Sequence, residues 1–140
     1  MTYHPSQKPL SSIRVLFPRT QTWVQAHLAE TEADRVQGLH GRASLAPNEG
    51  MLFRFPDQRP PLAMTMAKML IPLDILFIGQ DMTVKHIAYR LQSGRQHPVL
   101  GPAVPWVLEV PANFARKHRL RCGDRAELEV DGSLVTGWKW

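Results

Sequence analysis

The sequence contains a single cysteine, Cys122, in 140 residues. No intramolecular disulfide can form, and metal clusters built on paired cysteines are excluded. No apolar run approaches the roughly 18 residues of a membrane span. The longest such tract, residues 69–78, is broken by Pro72 and Asp74. Residues 1–12 contain Pro5 and Pro9 but no apolar stretch, so nothing there resembles a signal peptide. GxSxG, P-loop, GxGxxG and HExxH motifs are all missing. His4, His27, His40, His86, His97 and His118 share no ligand-like spacing. The reading is of a cytoplasmic protein with no metal and no cofactor. Acids are scarce in one region: between Lys85 and Arg121 seven Lys or Arg residues face only Glu109. Without an RNA- or DNA-reading motif or interleaved aromatic residues, that region predicts at most weak, nonspecific nucleic-acid binding that collapses with salt.

The chain is 44% apolar and 21% charged, with a net charge of +5. This is the balance of a globular domain, and at this length folding buries roughly 70% of the unfolded surface. Residues 1–12 read as a flexible arm, followed by one domain over residues 13–140. Short β-branched and aromatic runs predict strands at Ile13–Phe17, Thr22–Leu28, Met51–Phe55, Leu73–Ile78, Met82–Leu91, Val104–Val110, Arg125–Val130 and Ser133–Trp138. Met64–Met69 reads as a strand from its context. Asp131-Gly132 is the strongest hairpin signal. Thr31-Glu-Ala-Asp34 resembles a capping box that opens a helix over Glu32–Leu39, and Pro111 can precede a second helix over Ala112–His118. Residues 92–105, with three prolines and two glycines, read as one long loop. No βαβ rhythm is visible. The expected fold is mainly β: a single-domain antiparallel barrel or sandwich-like fold of about eight short strands with two short helices.

Two acids stand out. Alternation along residues 71–78 places Leu73, Ile75 and Phe77 on one face and Asp74, Leu76 and Ile78 on the other, so Asp74 interrupts an apolar surface. Glu109 repeats this in Trp106-Val-Leu-Glu-Val110. A buried carboxylate needs a partner, and Arg35, Arg42, Arg54 and Lys68 are available. Two such acids can form a general acid/base pair or serve as scaffold. Cys122 lies beside basic residues that favour a thiolate, but His118 is an unspecific base for it, and a small residue at a turn is the plainer reading.

In order, Ala33-Asp-Arg35, Gly38-Leu-His-Gly-Arg42, Gly50-Met-Leu-Phe53 with Phe55, Met66, Ile71-Pro-Leu-Asp74, Phe77-Ile78, Val107-Leu-Glu-Val110 and Gly123-Asp124 follow one another at family-like spacing. Between about Val24 and Leu128 the chain resembles the uncharacterised prokaryotic family known as domain of unknown function 192. The resemblance implies a compact β-barrel-like fold with small helices and names no activity. It also exposes departures. Thr65-Met-Ala-Lys-Met69 stands where the family has Trp-Met-Lys-Asn-Thr, so the tryptophan is missing and Ala67 takes the lysine position. In a strand, Lys68 would point to the opposite face. His40 replaces a methionine, and Asn113 replaces a glycine.

The leading expectation is a noncatalytic domain that binds a small molecule or peptide in a polar pocket formed by Arg42, Asp74, Glu109, Met66 and Lys68. Asp74 is expected to pair with Arg42 in a bidentate contact. One alternative is an enzyme with Asp74 or Glu109 as general acid/base and Arg42 stabilising an oxyanion. The other is a weak, nonspecific nucleic-acid-associated protein.

Overall fold

A computed structural model describes residues 11–57 and 62–135. In chain order the elements are β1 (Ser12–Phe17), β2 (Thr22–Ala29), α1 (Glu32–Gln37), β3 (Glu49–Arg54), β4 (Leu62–Met64), β5 (Leu73–Ile78), β6 (Val84–Leu91), β7 (Val99–Gly101), β8 (Trp106–Pro111), α2 (Phe114–Lys117), β9 (Glu127–Val130) and β10 (Ser133–Leu134). Eight of the strands form one sheet in the order β10-β9-β1-β2-β3-β8-β5-β6, and β4 and β7 form a separate ribbon. The fold is mainly β and sandwich-like. The strand ladder does not close into a barrel. A single bridge, Thr83↔Arg125, joins the chain before β6 to the chain before β9.

Pairing is antiparallel except between β2 and β3, which run parallel and are joined through α1. One βαβ crossover is therefore present where the sequence suggested none. Its helix begins as the sequence predicts: Thr31 Oγ1 accepts the amide of Asp34, and Asp34 reaches back to the Thr31 amide. It ends at Gly38, whose φ of 46° is a left-handed value that disfavours side chains.

The sheet buries side chains on both faces. One cluster gathers Val15, Phe17, Leu76, Trp106, Leu108 and Phe114. The other joins Leu39, Met51, Phe53, Met66, Ile75 and Phe77. Strands β5 and β8 supply both, which is why their sequences are apolar at nearly every position.

Two local expectations are corrected. Met64–Met69 is not one strand: β4 stops at Met64, and the Met66 carbonyl accepts the amides of Met69 and Gly94, making a turn. Residues 92–105 are not all loop, because β7 pairs with β4 there. Of the expected arm, Ser12 opens β1 and Ser11 accepts the Leu28 amide, while residues 1–10 lie outside the described residues. Residues 136–138 of the last expected strand also lie outside them.

Candidate functional site

A cavity of about 480 Å³ lies between α1, the β4–β5 turn and the sheet face that carries Glu109. Its walls are apolar, built from Leu39, Phe53, Phe55, Met64 and Met69. Polar groups ring it, namely Arg35, His40, Lys68 and Glu32. No residue of α1 is buried, yet Glu32, Arg35 and Val36 line the cavity, so the helix forms a wall without being packed into the core. Arg35 is held in place by the carbonyls of Glu30 and Arg54, and its guanidinium lies 5.5 Å from the centre of the Phe55 ring.

Glu109 forms part of the lining from β8. Its ladder neighbours are Met51 on β3 and Ile75 on β5, both buried. The backbones of β3 and β8 come close here: a Cβ on Gly50 would stand 2.4 Å from the Glu109 carbonyl. Among the described residues, no hydrogen bond or ion pair reaches the Glu109 carboxyl. Burial alone pushes it up to about 8, so the acid is largely protonated at neutral pH. His40 moves the other way, because burial and the nearby Lys68 charge hold its imidazole below the usual value.

Asp74 has the opposite surroundings. Opposite it, β6 carries an extra residue: Leu73 pairs with Leu91 and Ile75 with Ala88, leaving Tyr89 and Arg90 facing Asp74 alone. The bulge leaves the Arg90 amide without a ladder partner, and Asp74 Oδ1 accepts it at 2.8 Å. The same oxygen accepts the Asn113 amide at 3.3 Å, and Oδ2 accepts the Ala115 amide at 2.9 Å. The expected partnership with Arg42 is therefore wrong. Arg42 donates to Glu49, which also accepts from His27 and from the Ala46 amide. Partial burial raises the Glu49 carboxyl, but these hydrogen bonds outweigh it and bring it to about 2.

Of the expected set, Glu109 and Lys68 line one cavity, and Met66 is buried in the apolar cluster on the same sheet face. Arg42 and Asp74 do not line it. Sequence reasoning missed His40 and the aromatic pair Phe53 and Phe55, stacked with centroids 6.3 Å apart. Their signal was the grouping of the family-like segments 38–42, 53–55 and 64–69, which fold onto this one cavity. Cys122 is exposed, with its thiol donating to the Lys85 carbonyl. Among the described residues no cluster of His, Cys, Asp or Glu could hold a metal, and no helix is long and apolar enough to cross a membrane.

The profile of a family described as "Uncharacterized ACR", domain of unknown function 192, matches residues 15–128. The chain belongs to that family. It is similar to a candidate transcription regulator from Sinorhizobium meliloti 1021, with TM-score 0.80 and 31% identity over 87% of this chain and 97% of that one. It is also similar to a protein of unknown function from Novosphingobium aromaticivorans DSM 12444, with TM-score 0.76 and 28% identity over 90% and 91% of the two chains. No curated protein matches it.

Within the domain of unknown function 192 family, this member's departures acquire positions. Because residues 65–70 form a turn, the strand argument that separated Ala67 from Lys68 does not apply, and both line the cavity. Asn113, at the family's glycine position, has φ 74°, a left-handed conformation that Asn tolerates better than most residues.

Proposed function

We propose that the cavity above Glu109 makes this chain a noncatalytic binding domain for a small molecule or the end of a short peptide. The observation that carries the reading is the carboxyl of a buried residue, Glu109, which opens onto an apolar cavity and has no hydrogen-bond partner among the described residues. Burial without a hydrogen bond is unfavourable, and a ligand that offers an acceptor relieves it. Protonated Glu109 is the donor, and a carbonyl or ether oxygen is the matching group. Phe53, Leu39, Met64 and Met69 take an apolar body, and Arg35, His40 and Lys68 meet its polar outer end. Met66 belongs to the buried cluster that also contains Leu39, Phe53, Met64 and Met69. Asp74 and Arg42 serve the fold around the site. The volume falls in the range of about 300–1,000 Å³ usual for such ligands. One unpaired cysteine fits a reducing, cytoplasmic setting.

The catalytic alternative draws on the same carboxyl, since an acid near 8 suits proton transfer at neutral pH. Asp74 and Arg42, its other expected members, are engaged by backbone amides and by Glu49. Transcription regulation, taken from the Sinorhizobium relative, is supported less. The described helices have six and four residues, too short for a major-groove reading helix.

The test is an amide-shift titration with a panel of small apolar amides, esters and short peptides, using the wild type and Glu109→Gln. Saturable shifts at Leu39, Phe53 and Met69 that weaken as pH rises through about 8 support the reading. Shifts confined to other surfaces, or an affinity indifferent to pH across that value, contradict it.

A further inference from the structure

We infer that a second site, on the α2 side of the sheet, takes a phosphorylated small molecule. A separate cavity of about 480 Å³ is lined by Tyr89, Arg90, Asn113, Arg116, Arg119 and Leu120. Its lining contains no acid. The three arginines come from three segments: the β6 bulge, α2 and the turn after α2. Arg19, Arg42, Arg54 and Lys85 each meet a carboxylate. Among the described residues, no protein acceptor reaches the guanidinium groups of Arg90, Arg116 or Arg119. Like charges gathered in one concavity repel one another and attract an anion. Guanidinium forks fit phosphate oxygens in paired hydrogen bonds.

The backbone that carries these side chains is fixed at some strain. Six described non-glycine residues have positive φ, and three of them, Arg90 (50°), Asn113 (74°) and Arg119 (56°), line this cavity. Such strain persists only where surrounding contacts impose it. For Arg90 and Asn113 the imposing contact is the Asp74 carboxylate, fully buried beneath them. Arg119 sits just after α2 in a Schellman turn, with its own amide bonded to Arg116 and the Leu120 amide to Ala115. That position strongly favours glycine, yet an arginine occupies it. Arg19, itself held by Asp124, donates to the Arg119 carbonyl. The backbone of the site is therefore set in advance, and we place the phosphate on the arginines and the organic part against Tyr89 and Leu120.

Titration of the full chain with AMP, followed by amide shifts, tests this, with adenosine and inorganic phosphate as controls. AMP should shift Arg90, Asn113 and residues 116–120 saturably, inorganic phosphate should act at the same residues more weakly, and adenosine should leave them in place. Arg116→Gln and Arg119→Gly should each weaken AMP binding roughly tenfold or more. Neither should lower the unfolding midpoint: Arg116 is exposed and its guanidinium meets no acceptor among the described residues, and a glycine relieves the left-handed strain at residue 119. Equal shifts with adenosine, no saturable response to AMP, or displacement of AMP by a single-stranded DNA oligonucleotide at lower concentration would each overturn the proposal.

Discussion

Asp74 and Glu109 are near neighbours across the β5–β8 ladder, where Asp74 faces Val110 and Ile75 faces Glu109. Both are buried acids in apolar strands, at 0% and 3% exposure. Their surroundings differ: three backbone amides converge on Asp74, whereas among the described residues no hydrogen bond reaches the Glu109 carboxyl. One carboxyl is consumed by the fold, tying the β6 bulge to the start of α2. The other opens onto the cavity, where the proposed reading places a ligand. Burial alone does not mark a functional acid. A buried acid without donors among the described residues, beside a cavity, is the one we propose as functional.

The largest effect expected from breaking this contrast is at Asp74. Asp74→Ala strands the buried Ala115 amide and two part-buried amides, those of Arg90 and Asn113; with about 1–3 kcal/mol for the buried one and less for the two that water can reach, roughly 3 kcal/mol of stability should be lost. Against a total of about 5–15 kcal/mol for a typical domain, the variant should be markedly less stable. Urea unfolding at neutral pH measures this, and a loss below about 1 kcal/mol would mean the amides do not depend on the carboxylate.

Glu109→Gln should act with pH. The unfolded carboxyl releases its proton near 4.5 and the folded one only near 8, so the folded state binds the extra proton between those values. Stability therefore falls as pH rises from about 4.5 to about 8 and levels off above, by no more than about 5 kcal/mol. The Gln variant carries no such proton, so the difference between the two unfolding curves should swing in its favour across that window. A pH-independent difference would contradict the assignment.

The smallest effect belongs to Arg42. Its contact with Glu49 is partly exposed, and Arg42→Gln should cost about 0.5–1 kcal/mol. Combined with Asp74→Asn, its effect should add within about 0.5 kcal/mol, since the two residues share no partner. A larger coupling would restore the link between them that the sequence suggested.

Much of the architecture was legible. Leu73–Ile78 declares itself by an apolar run interrupted only at Asp74, Asp131-Gly132 by its turn chemistry, and the α1 start by Thr31 and Asp34. Strand β7 was hidden because proline and glycine on either side of Val99–Gly101 read as loop. The β4–β5 turn was misread because methionines at 64, 66 and 69 fit more than one period. For the sites, the sequence identified both acids as buried but not what surrounds them. Asp74's partners are backbone amides, which carry no residue identity. Glu49, the true partner of Arg42, was not considered. The lining of the Glu109 cavity comes from segments more than 70 residues apart in the chain, a convergence that only the fold reveals.

The proposed binding role rests on Glu109 being protonated at the cavity and, among the described residues, without a hydrogen-bond partner. The most direct measurement is a carbon-13 NMR titration of its side-chain carboxyl in the intact chain, assigned by the loss of the signal in Glu109→Gln. The predicted midpoint is about 8. A midpoint near the ordinary 4.5 would show that water or an unseen donor already satisfies the group, and the binding role argued from it would fall.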